Sequence, residues 1–150
     1  MVNHVDILNA ISKELAKAYP GYKIYIDVCP VEYARPSFFL RQVGVARADV
    51  NRNTIAEKLE YLLRVHENVD SYANSSALAL LETQQAVMDI FRQGVLQVGD
   101  RWLRLSVEAG PRELNVANAA LWVEYFDERE TQALEEDKIQ TVEMRVKKEE

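Results

Sequence analysis

Hydrophobic residues recur at intervals of three and four in two stretches of the chain, and this spacing predicts two amphipathic helices. The first helix runs from Val5 to Tyr19 and stops at Pro20-Gly21, because proline cannot continue the helical hydrogen-bond ladder and glycine readily adopts the left-handed cap conformation. The second helix runs from Ser75 to Gly94, with Asn74 and Ser75 as candidate N-caps. Its predicted buried face consists of Ala77, Leu80, Leu81, Gln84, Val87, Met88 and Phe91.

Strict alternation of apolar and polar residues predicts the strands. Residues 23–28 alternate in this way, and the segment SFFLRQVGVA after Arg35-Pro36 is rich in aromatic and β-branched residues, with Gly44 predicting a bulge or a close contact. After the second helix, a Gly-Asp turn signal and two alternating runs predict two more strands. In the last of these runs, one face carries Leu121, Val123 and Tyr125, and the other carries Trp122, Glu124 and Phe126.

Residues 55–65 fit either a helix or a strand. Ile55, Leu59, Leu62 and Leu63 share a helical face, whereas the alternation of a strand places Ile55, Leu59, Tyr61, Leu63 and Val65 together. We favour a strand, because the alternation continues to Val65 and residues 48–53 suit a turn between antiparallel strands.

The order of these elements predicts an α+β fold in which a mostly antiparallel sheet of about four to six strands packs against two helices. We expect residues 1–126 to form a single domain and residues 127–150 to form a charged C-terminal arm. The arm ends in a second alternating run, Val142, Met144 and Val146 against Glu143, Arg145 and Lys147. This run predicts an extra strand, one that a neighbouring molecule completes.

The net charge argues against nucleic acid as a primary partner. The chain has 24 acidic and 18 basic side chains, a formal charge of -6, which opposes the counterion release that drives most binding to DNA or RNA. Much of the acidity lies near the C-terminus, where a solvated arm is the expected structure. The N-terminal segment carries Asp6 and Glu14 within its apolar pattern and does not resemble an export signal, and no apolar run has the length of a membrane-spanning helix.

No residue pattern predicts an enzyme or a cofactor site. The single cysteine, Cys29, excludes an intrachain disulfide, and the two histidines, His4 and His66, are too few and too far apart in sequence for a histidine-rich metal site. Cys29 and His66 are the conceivable nucleophile and base, but no catalytic signature surrounds them, and a buried cysteine is often only a small hydrophobe. We expect no catalytic residue, no cofactor and no metal.

Three segments together carry a resemblance to a known family. They are PGYKIY after the first helix, RPSFFL at the start of the second strand, and LWVEYFDERE running into the charged tail. With the order of helices and strands, they resemble the phage tail terminator proteins found in prophages of Gram-positive bacteria, over nearly the whole chain.

The resemblance implies a structural protein that forms a ring, typically of six subunits, on the last ring of the tail tube. Such a ring halts polymerisation of the tube protein and offers a surface to the head-completion or connector proteins. It would assemble in the host cytoplasm and remain at the neck end of the virion tail. The alternatives are a head–tail connector or neck-completion protein, and a small intracellular binding module that shares the fold.

Two sets of side chains are candidates for the interface with another subunit or with the tube. Aromatic residues are enriched at interface centres, which favours Trp102, Trp122, Tyr125 and Phe126, and alternation puts Trp122 and Phe126 on the face opposite Tyr125. Basic side chains suit pairing with the acidic arm of a neighbour, which gives register and orientation. These are Arg35, Arg41, Arg47, Arg52, Arg101 and Arg104, and the alternating run of the arm adds Val142, Met144 and Val146.

Overall fold

Two helices and six strands make up the part of the chain, residues 2–129, that the computed structural model describes. Their order is α1 (His4–Ala18), β1 (Lys23–Ile26), β2 (Ser37–Asp49), β3 (Thr54–His66), α2 (Ala77–Ile90), β4 (Val95–Val98), β5 (Arg101–Arg112) and β6 (Ala117–Glu128). Segment 55–65, which fitted either a helix or a strand, lies in β3, and the strand assignment is confirmed.

The six strands form one curled sheet in the order β1-β2-β3-β6-β5-β4. Every neighbouring pair is antiparallel except β1 and β2, which are parallel. The predicted α+β class and mostly antiparallel sheet are therefore confirmed. The prediction of two strands after α2 fell one short, because β4 has four residues, too few to produce a clear alternating run.

Both helices pack against the same face of the sheet. The buried side chains of α1 and α2 form a single core cluster with alternate residues of the strands, so this face is the inner one. Leu59, Leu63 and Leu121 in the central strands are fully buried there. Each such leucine contributes about 1.5–3 kcal/mol to folding through removal of its side chain from water.

The helix ends refine the predicted boundaries. Asn3 caps α1 by accepting a hydrogen bond of 2.8 Å from the backbone nitrogen of Val5. The cap of α2 is Ser76 rather than the expected Asn74 or Ser75, because the backbone nitrogen of Ser75 is held by the carbonyl of Leu114 in the loop between β5 and β6. Ala77 and Leu81 of α2, both expected on the buried face, are exposed instead.

One polar residue of α2 lies in the core for a specific reason. Gln84 is buried, and its Nε2 donates hydrogen bonds to the carbonyls of Gly110 (3.0 Å) and Asn118 (2.7 Å). These carbonyls lie where the register between β5 and β6 shifts. The Gln84 amide therefore satisfies backbone groups beside the irregularity, which would otherwise be costly to bury.

The predicted division into domain and arm falls at the end of β6. This strand extends to Glu128, two residues past the predicted boundary at 126. Residues 130–150, with the predicted extra strand, lie outside the described residues, so that division stays a prediction.

Candidate assembly surface

The outer face of the sheet, which no helix of residues 2–129 covers, carries side chains in regular rows across β2, β3, β6 and β5. The strand register aligns Ala48 with Ala56 and Ala56 with Phe126, and Trp102 of β5 lies on the same face beside Phe126. One step along, the register aligns Ala46 with three charged residues, Lys58, Glu124 and Arg104. We call this surface the helix-free face.

A groove of about 520 Å³ crosses the helix-free face. Ala46, Ala48 and Ala56 give it a floor of small side chains, and Trp102 and Phe126 stand beside that floor. Each of these two aromatic side chains is 64% exposed. Large aromatic side chains that are exposed side by side are more common at interaction sites than on the rest of a protein surface.

Two long strands, β2 and β5, each have one edge that is only partly paired with another strand of the described residues. β1 covers only Ser37–Leu40 of β2, and β4 covers only Arg101–Arg104 of β5. Since β2 and β5 run in opposite directions and lie on opposite sides of the sheet, the uncovered stretches lie at diagonal corners. Backbone groups along an uncovered edge are ready to pair with another chain.

Three of the predicted interface arginines are engaged within the subunit. Arg35 donates hydrogen bonds to the carbonyls of Glu67 (2.8 Å) and Asn115 (3.0 Å) and to the hydroxyl of Tyr33 (2.6 Å). Arg47 pairs with the buried Glu57, and Arg101 pairs with Asp127 at 3.3 Å. Their first role is to hold the fold together.

The remaining predicted residues of the described part are on the surface. Arg41 on β2, Arg52 in the β2–β3 turn and Arg104 on β5 are exposed. Trp122 and Phe126 lie on the helix-free face, opposite the buried Leu121, Val123 and Tyr125, as the alternation predicted. Val142, Met144 and Val146 lie outside the described residues.

A buried carboxylate, which the sequence analysis did not single out, lies next to the groove. Glu57 is 4% exposed and accepts hydrogen bonds from His4 Nε2 (2.7 Å), the Tyr125 hydroxyl (2.8 Å) and Arg47. Burial alone raises the pKa of Glu57, but these three hydrogen bonds outweigh it and keep that pKa below its ordinary value. Burial and the hydrogen bond to Glu57 raise the pKa of Tyr125.

A second buried carboxylate, Asp127, ties the two ends of the described chain together. It accepts hydrogen bonds from the backbone nitrogens of Val2 (2.7 Å) and Glu128 (3.0 Å) and pairs with Arg101. These partners outweigh burial and hold the pKa of Asp127 below its ordinary value. The start of α1 is therefore fixed to the end of β6 by a polar contact.

A third polar cluster lies at the opposite end of the sheet. Glu67 accepts hydrogen bonds from the hydroxyls of Tyr22 (2.7 Å) and Thr83 (2.6 Å). His66, beside it, is 4% exposed and its ring lies 4.4 Å from that of Tyr33. Burial, together with the charges of Arg35 and Arg64, lowers the pKa of His66 to about 4, so the imidazole is neutral at pH 7.

These polar clusters are built into the fold and do not resemble a reaction centre. Within residues 2–129 no group of three or more histidine, cysteine, aspartate or glutamate side chains is placed to hold a metal ion. In the same range, no helix is both long and apolar enough to cross a bilayer. Among the described residues, the groove on the helix-free face and the uncovered strand edges are surfaces to which another molecule can bind.

Comparison with known families decides what kind of protein carries this surface. A family model described as phage tail terminator protein matches residues 6–109, about two thirds of the chain. The chain belongs to the phage tail terminator family. This tail terminator is therefore a structural protein of phage virion assembly, and the resemblance seen in its sequence is confirmed.

The other comparisons add little to this assignment. No curated protein matches the tail terminator significantly. Among the solved structures that match, one is 11% identical, covers 88% of this chain and 99% of its own, and superposes with a TM-score of 0.45. At that score, the likeness carries no argument about function.

The residues of the surface were only partly visible in the sequence. Trp122 and Phe126 were found because alternation puts them on the face opposite Leu121, and Trp102 was named because aromatic residues are enriched at interfaces. The floor of the groove was missed, although Ala46 and Ala48 are spaced by two as residues of one strand face must be. Glu57 was missed too, although it stands between Ile55 and Leu59 on the apolar side of the alternation, where a carboxylate needs partners.

Proposed function

We propose that this tail terminator forms a ring, of six subunits as the family resemblance implies, on the end of the phage tail tube. The ring stops polymerisation of the tube protein and gives the head-completion or connector proteins a surface to join. It assembles in the host cytoplasm and becomes the neck end of the virion tail. The protein acts by shape and contact, without catalysis or a cofactor.

The observation that carries the ring is the pair of uncovered strand edges at diagonal corners of the sheet. A closed ring of identical subunits requires two different patches on each subunit, one of which meets the other patch of the next subunit. The edges of β2 and β5 differ in sequence and lie on opposite sides of the sheet. Each edge is a distinct site at which a part of a neighbouring subunit can bind.

The exposed candidate residues suit contacts with the tube or with a neighbour. Trp122 and Phe126 give the helix-free face apolar area, and Arg41 and Arg52 carry charge that residues 2–129 do not neutralise by an ion pair. In the proposal, these arginines face acidic groups of the tube or of a neighbouring arm. Val142, Met144 and Val146 belong to the contact between subunits.

The test is co-assembly with the tube protein of the same genetic locus. The purified terminator is mixed with polymerising tube protein, and tube length and end density are measured by negative-stain electron microscopy. Bound density at the tube ends and an arrested length are expected, with bovine serum albumin as the mock protein.

Tubes that grow unchanged and carry no end density would refute the proposal. Binding to a purified connector or head-completion protein in that case would favour the neck-protein alternative. Mass photometry of the terminator with and without short tubes separates a ring that forms alone from one that forms on its template.

A further inference from the structure

We infer that the uncovered edge of β2, Gly44–Asp49, is the docking site for the C-terminal run Val142–Lys147 of a neighbouring copy of this chain. The inference rests on the proposed ring and deepens it, because it identifies what joins one subunit to the next. The docked run becomes a seventh strand of its neighbour's sheet, and its valine and methionine side chains lie beside the groove on the helix-free face.

The edge of β2 has the features of a strand that needs a partner. After the bulge between Gln42 and Gly44, all five residues from Val45 to Asp49 are exposed. The stretch contains no proline, so each backbone nitrogen that points away from β3 can donate a hydrogen bond to an added strand. The uncovered edge of β5 is a poorer template, because it contains Pro111, which has no backbone N–H to donate.

The two faces of the edge match the two faces of the arriving run. Ala46 and Ala48 lie on the helix-free face, at the open side of the groove, and Arg47 lies on the other face, where it reaches Glu57. In the run, apolar residues alternate with charged ones, so a strand paired with β2 can set Val142, Met144 and Val146 against the alanines. The charged residues then lie on the side of Arg47 and Asp49.

The chain leaves the sheet at a position from which the run Val142–Lys147 can reach an adjacent copy. The backbone nitrogen of Arg129 donates to the carbonyl of Asn53, and its side chain contacts Asp49, so the chain passes the tip of the β2–β3 hairpin. β6 runs toward that tip, and a return to its own β2 edge requires a reversal. Residues 130–141 contain no glycine or proline, and Asp137 is the one residue among them of the types that dominate tight turns.

The length of the intervening segment fits a contact between subunits. Twelve residues, 130–141, reach up to roughly 40 Å when extended. A domain of this size has a radius of gyration of roughly 14 Å, so the edge of an adjacent copy lies within that reach. Each copy offers one edge and one run, which is the condition for a chain of such contacts to close into a ring.

Disulfide trapping between two differently labelled chains tests the inference. All chains carry Cys29→Ser, one adds Met144→Cys, and the other adds Ala46→Cys or Ala48→Cys. The two chains carry different tags and are mixed at high concentration under mild oxidation, and the product that joins them is measured by non-reducing gel. We expect at least a five-fold higher yield of the mixed product than with the control chain Val45→Cys.

The control is matched because Val45 is adjacent to Ala46 on the same exposed edge but points to the opposite face. Equal yields at Val45 and at the alanines would overturn the inference. So would a double variant, Ala46→Cys with Met144→Cys, that closes a disulfide within one chain at every protein concentration, because the run would then cover its own edge.

A second measurement keeps the inference separate from the proposed function. Val142→Asp with Val146→Asp should abolish the mixed product, whereas Arg145→Glu, which changes the charge by the same amount on the other side of the run, should leave it. Capped tubes without the mixed product would overturn the inference alone. The mixed product without capping would support the inference and refute the terminator role.

Discussion

The hydroxyl of Tyr125 donates a hydrogen bond of 2.8 Å to the carboxylate of Glu57, and the two residues are register partners on adjacent strands β6 and β3. The contact lies on the inner face of the sheet, close to the start of α1. Glu57 also holds His4 and Arg47. One buried carboxylate therefore joins the first helix, the edge strand and the two central strands.

Glu57→Gln should destabilise the protein. The amide keeps the shape of the side chain but leaves Arg47 and His4 without an anionic partner, which costs about 2–3 kcal/mol in the free energy of unfolding. Urea denaturation at pH 7 measures the change. Glu60→Gln on the same strand is the control, because Glu60 is not buried, and a shift of equal size there would contradict the expectation.

Stability should fall as the pH falls below 6.5. His66 has a folded pKa of about 4 against an ordinary 6.5, so folding favours the neutral ring, and stability is full above 6.5 and declines toward 4 at about 1.4 kcal/mol per pH unit at most. His66→Gln should flatten this slope. Unfolding midpoints in urea at pH 7.0, 5.5 and 4.5 measure it, and equal slopes in both proteins would contradict the assignment.

A further loss of folding stability is expected only at a pH below about 4.5. Because the pKa values of Glu57 and Asp127 are lowered in the folded protein, the stability they contribute is present above their ordinary values of 4.5 and 3.8 and is lost as the pH falls below these values. Acid denaturation of Glu57→Gln should therefore be shallower than that of the wild type below pH 4.5. A steeper curve would contradict this expectation.

Leu63→Ala and Leu62→Ala should lower the free energy of unfolding by different amounts, because the two leucines lie on opposite faces of β3. Leu63 is fully buried under the helices, and its truncation should cost about 2–5 kcal/mol. Leu62 lies on the helix-free face and is only partly buried, so its truncation should cost less than about 1 kcal/mol. Chemical denaturation of both variants decides the matter, and similar losses would mean that the outer face is covered in the free protein.

Gly99→Ala should destabilise the turn between β4 and β5 by about 1 kcal/mol, since Gly99 has a φ of +61°, which an L side chain adopts at a cost. An added methyl group meets no atom within 4 Å at Gly99 or at Gly21, so only the backbone differs between the two sites. Gly21→Ala, whose φ is not positive, is the control in thermal unfolding. An equal effect at both glycines would exclude backbone strain as the cause.

Arg41→Glu with Arg52→Glu should impair the capping of tail tubes without lowering the thermal midpoint, because neither side chain forms an ion pair within residues 2–129. Tube length by electron microscopy and thermal unfolding are measured on the same preparation. Arg92→Glu is the control, because Arg92 is an exposed arginine in the turn that follows α2. Full capping by the double variant would remove these two arginines from the proposed contact.

Alternation predicted the sheet well because β3 and β6 are central strands with one face in the core. Successive side chains of a strand point to opposite faces of the sheet, so Leu121 and Trp122 could be assigned to opposite faces from the sequence. Pairing between distant segments is different. The parallel contact between β1 and β2 and the insertion of β6 between β3 and β5 depend on packing across the whole domain, which no local pattern carries.

The candidate surface also combines features that the local sequence predicts with features that depend on contacts between distant residues. Exposed aromatic residues could be named from the sequence, but the arginines could not be sorted. Arg35 and Arg52 look alike in the sequence, yet one is held by two backbone carbonyls and a tyrosine while the other stands in a hairpin turn. Only the approach of Glu67 and Asn115, which are distant along the chain, gives Arg35 its structural role.

The positions of Trp102 and Trp122 have a practical consequence for spectroscopy. They are the two tryptophans of the chain, and both stand on the helix-free face rather than among the residues packed by α1 and α2. Their intrinsic emission therefore reports on whatever reaches the outer side of the sheet and responds little to changes around the helices. A titration that blue-shifts this emission at constant helical circular dichroism would record the arrival of a partner without any added label.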